Sequence, residues 1–185
     1  MILLLADTFQ NHPLFDFAFP RVASRRAILR RLFRPIVEDA LIFGRVDVAV
    51  ADDIVGVLLW YPPGAYPMTT RRALRGLPDY LRIACRDPLG LFKLYRIQAA
   101  LDRLRPKQPH CHGYFLGGRA GARIGAILAR KLLEEVDANG WPAYLETQDS
   151  RTVALYLKLG FDLIKSAFPT LPGAPLTSTM WRSAR

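Results

Sequence analysis

The chain has 185 residues, enough for one domain with a proper buried core. Its apolar fraction of 51% with 23% charged residues is ordinary for a globular protein, and no apolar run approaches the ~20 residues of a membrane span. The net charge of +10 would suit nucleic acid, an anionic membrane surface or an anionic cofactor.

The opening Met1–Ala6 is apolar but has no basic lead, and Asp7, Gln10 and Asn11 interrupt it; it reads as a helix from Ile2 to about Gln10 rather than a signal peptide. Leu14–Pro20 reads as an aromatic loop, apolar enough to cover something. Ser24 is placed to cap a long helix to about Phe43, with Gly44 as its stop and Pro35 predicting a kink or a break. In that helix the arginines from Arg21 to Arg34 alternate with Ile28, Leu29, Leu32, Phe33, Ile36 and Val37. Such a stripe predicts a packed helix whose arginines form its solvated face. No nucleic-acid motif accompanies them, nor the later Arg71, Arg72 and Arg75.

Next comes a hairpin: VDVAV, a turn at Asp52 and Asp53, then IVGVLLWY closed by Pro62, Pro63 and Gly64. Thr70 to about Cys85 and Pro88 to about Arg103 read as two helices, followed by the extended linker RPKQP. From His110 the pattern becomes strand (to Gly118), helix (Gly125 to Ala138), strand (Trp141 to Thr147), and a short helix capped by Ser150 and running through Leu159. Two strands close the chain, Phe161 to Phe168 and Leu176 to Arg182. This order is that of a mixed α/β fold, an α+β domain with a partly antiparallel sheet. Cys85 and Cys111 have no metal spacing and read as free, buried thiols of a reducing cytosol, so a cytoplasmic protein is expected.

The chemistry concentrates in the last third. The turn RAGARIG precedes a helix, and a helix N-terminus presents unpaired N–H groups and about half a positive charge to an anion. Gly121 and Gly125 let the backbone approach closely, and Arg119 and Arg123 add charge; an ordinary strand-to-helix turn with exposed arginines fits equally well. Tyr156 sits among leucines in ALYLKLGF, where a tyrosine is either core or a placed hydroxyl. Glu146 ends the strand AYLET, as a hydrogen-bonded anchor or as a general base pointed into a cleft.

Taken together, RPKQPH before the strand, PAYLET, the spacing to SRTVALYLKLGF and the closing MWR resemble the GNAT superfamily of acetyl-CoA-dependent N-acetyltransferases. The likeness is to bacterial members similar to puromycin N-acetyltransferase, and it is weaker upstream of Arg105. The resemblance implies an acyl-CoA N-acyltransferase-like fold in one domain, its sheet splayed at the centre and flanked by helices, with residues 1–109 on the substrate side and 110–185 as the acetyl-CoA-binding core. Leu116, Gly117 and Gly118 would pair with the pantetheine arm. The turn of Arg119, Gly121, Ala122, Arg123, Ile124, Gly125 and Ala126 would hold the pyrophosphate, with Arg151 and Thr152 beside the cofactor. Tyr156 would protonate the leaving thiolate, and Glu146 would accept the amine's proton. The substrate would be a primary amine of a small molecule, acetyl-CoA the co-substrate, and no metal is required. Its mouth would be lined by the N-terminal helices, the Leu14–Pro20 loop, Trp60 and Tyr61, although core suits Trp60 better.

The sequence departs from the family pattern in three places. Alanine and Arg123 stand where the phosphate turn usually has a polar residue and a glycine, Thr152 stands where asparagine is usual, and the family's first strand is absent, leaving a sheet edge exposed or covered by a second copy in a homodimer. A left-handed backbone at Arg123 would cost roughly 1–2 kcal/mol. A catalytically silent homologue, acting by CoA or protein binding, therefore stands beside the enzyme as the alternative.

Overall fold

In β2 (Ile54–Tyr61), Val57, Leu59 and Tyr61 alternate with Leu58 and Trp60, and all five are buried, so this strand needs cover on both faces. The computed structural model, which describes residues 1–119 and 123–185, supplies it. Among the described residues β2 joins five other strands in one sheet: β1 (Arg45–Val50), β3 (Cys111–Gly118), β4 (Ala143–Thr147), β5 (Asp162–Pro169) and β6 (Leu176–Arg182). The order is β1-β2-β3-β4-β6-β5, and every neighbouring pair is antiparallel except β3 with β4.

On one face, Val57, Leu59 and Tyr61 meet Leu5, Phe9, Phe15 and Phe33 of α1 (Ile2–Phe9), α2 (Pro13–Ala18) and α3 (Val22–Phe43). On the other, Leu58, Trp60 and Met180 meet Leu128, Leu132 and Val136 of α7 (Ile124–Ala138). The remaining helices are α4 (Thr70–Ala73), α5 (Leu77–Ala84), α6 (Pro88–Leu104) and α8 (Ser150–Lys158). Trp60 is core, its indole N–H donating to Asp47 Oδ2 at 2.8 Å. The Tyr61 hydroxyl donates to Asp39 Oδ2 at 2.8 Å, and Arg72 clamps the same carboxylate through bonds of 2.9 and 2.6 Å, tying β2, α3 and α4 together.

Several local expectations are corrected. Leu14–Pro20 is not a loop: Pro13 opens α2, and the His12 ring accepts the Leu14 N–H as its cap. Arg21, not Ser24, precedes α3, and Ser24 lies inside it with its hydroxyl donating to the Arg21 carbonyl. Helix α3 runs through Pro35 to Phe43 without a break. The helix expected from Thr70 to Cys85 is divided by a 3₁₀ turn at Leu74–Gly76, because Pro78 has no N–H to continue the ladder. Asp149 rather than Ser150 caps α8, its Oδ1 accepting the Arg151 N–H at 2.9 Å. Cys111 is buried, but Cys85 is exposed at the end of α5.

The arginine stripe of α3 is not wholly solvated either. Arg25 is buried and donates to the carbonyls of Phe19 at 2.6 Å, Gln10 at 2.8 Å and Pro20 at 3.2 Å, where the ends of α1 and α2 leave acceptors unpaired.

Candidate active site

Strands β3 and β4 pair only where Cys111, His112 and Gly113 face Ala143, Tyr144 and Leu145. Beyond that point residues 114–118, among the described residues, follow β2 alone. In the β2 register Phe115 faces Leu59 and Gly113 faces Trp60, which makes Tyr114 the extra residue of a bulge. The bulge turns both Tyr114 and Phe115 toward the α1–α3 layer and sends Leu116 to the α7 side. The sheet is thereby splayed at its centre.

A cavity of 380 Å³ fills the gap. Tyr114 and Leu116 line it from β3, Glu146 and Thr147 from β4, Arg151, Thr152 and Tyr156 from α8. The N-terminal layer adds Thr8, Phe9, His12 and Leu14, so both halves of the chain wall the same space. Trp60 and Tyr61 are buried outside the lining, which separates them from the expected substrate mouth.

Glu146 has a side chain only 11% exposed, and its Oε2 lies 3.6 Å from His112 Nε2. Burial raises its pKa to about 7, although the nearby Arg105 opposes the shift. His112 is itself buried, and burial together with Arg105 and His110 pushes its pKa well below the usual imidazole range, so it stays neutral. Its ring stacks on Tyr66 at 4.2 Å and 7°, and the Arg105 guanidinium covers Tyr66 at 4.4 Å. Glu146 Oε1, both His112 nitrogens and the Tyr144 hydroxyl find no hydrogen-bond partner among the described residues. The sequence reading did not find this polar and aromatic surround. Its signal is the alternation of His110, His112 and Tyr114 in HCHGY, one strand away from Tyr144 and Glu146.

Tyr156 packs edge-on against Phe161, ring centroids 5.4 Å apart, and burial raises its hydroxyl pKa to about 12. It keeps its proton at neutral pH. Thr152 donates to the Asp149 carbonyl at 2.7 Å and bonds Thr147 Oγ1, joining the start of α8 to the end of β4. The Arg151 guanidinium lies exposed against Asp149 at 2.8 Å.

The expected phosphate turn is less concentrated. Gly121 and Ala122 lie outside the described residues. Gly117 admits α1: a Cβ there would lie 3.1 Å from Leu5 and 3.3 Å from Phe9. Gly118 sits 3.3 Å from the Val55 carbonyl by the same measure. The Arg119 N–H is spent on the Val55 carbonyl at 2.9 Å, and its guanidinium on Asp53 at 3.0 Å. Arg123 is exposed and precedes α7 with φ −67°, so it carries no left-handed strain. Its carbonyl already accepts the N–H groups of Ala126 and Ile127, and the Ile124 side chain is turned into the core. Gly125 faces Leu116 at ordinary van der Waals distance.

No protein-family model matches the chain, and no curated protein matches it in sequence. Solved structures do. A Corynebacterium glutamicum protein described as histone acetyltransferase HPA2 and related acetyltransferase is similar at a TM-score of 0.71 and 23% identity, over 100% of this chain and 89% of that one. The arylalkylamine N-acetyltransferase 2 of Aedes aegypti gives 0.59 at 14% identity, over 100% and 93%. An agmatine N-acetyltransferase gives 0.56 at 16%, over 96% and 90%. The chain has the acyl-CoA N-acyltransferase fold of these GNAT acetyltransferases.

Proposed function

We propose that this protein transfers an acetyl group from acetyl-CoA to the primary amine of a small molecule. The observation that carries the reading is that a carboxyl group poised near pH 7 and a phenol that keeps its proton at neutral pH both stand on the walls of the cavity where β3 and β4 part. The fold supports it, since its solved examples include acetyltransferases of several amines.

The residues present fit the co-substrate. The edge of β3 from Tyr114 to Gly118 that faces the gap is the edge available to an extended amide-bearing arm, and Leu116 offers that arm an apolar side chain. The start of α7 with Arg123 is where a phosphate would settle. In the reaction the amine nitrogen bonds to the thioester carbonyl carbon and the C–S bond breaks. Glu146 takes the proton lost by the amine, and Tyr156 gives its proton to the departing sulfur. A placed acid or base of this kind contributes roughly 10²–10⁴-fold. Thr8, Phe9 and His12 close the cavity on the acceptor side.

One observation favours the silent alternative: the N–H groups of Arg119 and Ala126 are already bonded, which leaves fewer donors for a pyrophosphate. Calorimetry with acetyl-CoA, followed by a thiol-release assay over a panel of primary amines, separates the two. Binding with turnover is expected. Binding without turnover for every amine would leave a CoA-binding homologue, and no binding would remove the reading.

A further inference from the structure

His112 and Glu146 meet where the sheet parts. In the β3–β4 register His112 faces Tyr144, and Glu146 is the next residue of β4 on that face, one step past the last pair among the described residues. Glu146 and Tyr144 line the cavity, whereas His112 stands behind them with its side chain 1% exposed. An acceptor in the cavity therefore reaches the carboxyl and not the imidazole.

That imidazole is pinned. It lies flat on Tyr66, ring centroids 4.2 Å apart at 7°, and the Arg105 guanidinium covers the Tyr66 ring at 4.4 Å. Tyr66 is itself fixed, its hydroxyl accepting from Gln98 Nε2 at 3.0 Å and its ring packed against Tyr61 and Tyr114. Arg105 is held by Asp102. Tyr114, Tyr144 and His110 close in on the imidazole at ring-centroid distances of 5.7, 5.7 and 6.2 Å. Held in this way, His112 Nε2 stays 3.6 Å from Glu146 Oε2, a distance too long for a hydrogen bond. Neither imidazole nitrogen has another partner among the described residues, yet a neutral imidazole carries one N–H to give and one nitrogen to accept. A carboxylate that ionises beside that N–H draws it in, because a charge-assisted bond is shorter and stronger. Contacts of this kind are commonly long until the reacting groups are in place.

On the reading of Glu146 as the base of the transfer, we infer that His112 is a positioning residue that acts through it: pinned on Tyr66, it gives its neutral Nε2–H to the carboxylate when Glu146 ionises and fixes the plane of that group. Neutrality suits the task. A cation so close would hold Glu146 ionised far into acid, whereas burial, Arg105 and His110 keep His112 uncharged. The other groups that act on the carboxyl are Arg105 and Asp102 at the end of α6, Tyr66 before α4, Tyr114 of β3 and Tyr144 of β4.

Carbon-13 and nitrogen-15 NMR of the full chain tests this without any amine. Four glutamates and three histidines contribute, and Glu146→Gln and His112→Phe assign the two signals. In the parent, His112 should be neutral with its proton on Nε2 from about pH 5 to about pH 8, and its Nε2 shift should step where the Glu146 carboxyl titrates. His112→Phe keeps a ring on Tyr66 but no N–H, so the carboxyl titration should move up by about one pH unit. His112→Gln restores a neutral N–H and should recover at least half of that movement. For an amine that is acetylated, the rising limb of the kcat profile should move with the carboxyl while KM for acetyl-CoA stays within about twofold. A cationic His112 at neutral pH, a proton on Nδ1, or an Nε2 shift without the step overturns the proposal, and these readings on the parent stand even if the Phe variant unfolds. So does a carboxyl that moves with Tyr144→Phe and not with His112→Phe, which makes the phenol the partner. Activity lost at every pH with the limb unmoved would mean that His112 only packs, and overturns it too. Coupled titrations in a chain that acetylates no amine would uphold the pair and remove the transfer instead.

Discussion

Glu146 stands at the end of a strand where ionising it is costly, and the cost has a sign that can be read twice. Its carboxyl is raised from its ordinary 4.5 to about 7 by burial. If Glu146 is the base, activity should climb as pH rises through about 7, and Glu146→Gln should lose most of the turnover together with that limb of the pH–rate profile. Stability moves the other way. A carboxyl whose folded pKa is raised makes the folded state hold its proton longer, so the protein loses stability as pH rises from about 4.5 to about 7, by an amount on the order of 3 kcal/mol. Glu146→Gln should therefore melt higher than the parent above pH 7 and about equally at pH 4. A variant less stable at every pH would mean that Glu146 is a structural anchor. Tyr156→Phe removes one oxygen from a ring packed on Phe161. Turnover should fall at least about tenfold while acetyl-CoA affinity changes little; full activity across pH 6–9 would return Tyr156 to packing.

At the scale of elements, what is legible in the sequence is whatever repeats or stops. The β-branched and aromatic run IVGVLLWY closed by Pro62, Pro63 and Gly64, and the stop at Asn139 and Gly140, place β2 and α7 to within a residue or two. The spacing from Glu146 to Tyr156 carries the resemblance, and the two residues line one cavity. What is not legible depends on contacts between distant segments. Nothing near Arg25 announces that it will fill the carbonyl acceptors left by two other segments, and nothing near Tyr66 announces a stack on His112. Arg72 is of the same kind, one arginine in a basic run until Asp39 and Tyr61 are brought to it. Replacing it with Met leaves the Asp39 carboxylate buried without its cation, and the expected loss is about 3–5 kcal/mol, read as a lower denaturant midpoint at neutral pH. An unchanged midpoint would show that water replaces the guanidinium. Arg123 tests the start of α7. With φ −67° it is under no left-handed strain for glycine to relieve, so Arg123→Gly reads chiefly the charge, and Arg123→Gln, which keeps a side chain at the N-cap, separates the charge from the helix start. Acetyl-CoA binding should weaken and its salt dependence should flatten; tighter binding would make this arginine an obstruction and favour the silent homologue.

Over the whole molecule, the site is a product of both halves. The walls of the cavity come from α1 and α2 on one side and from β3, β4 and α8 on the other, and the chain as a whole carries a net charge of +10, the sign that suits a polyanionic co-substrate. A ligand that seats against both walls binds the folded chain and not the unfolded one. At a hundredfold excess over its Kd, acetyl-CoA should add about 2.7 kcal/mol, which for a chain of this size is a rise in Tm of about 5–10 °C. If the phosphates are held through the charge of Arg123 and the chain's positive field, the rise should shrink as salt increases, more steeply than for the uncharged pantetheine arm offered alone. Tyr156→Phe should keep the full rise while losing turnover, which separates holding the co-substrate from using it. An absent rise at every salt concentration would mean that the gap between β3 and β4 does not take acetyl-CoA, whatever the fold resembles.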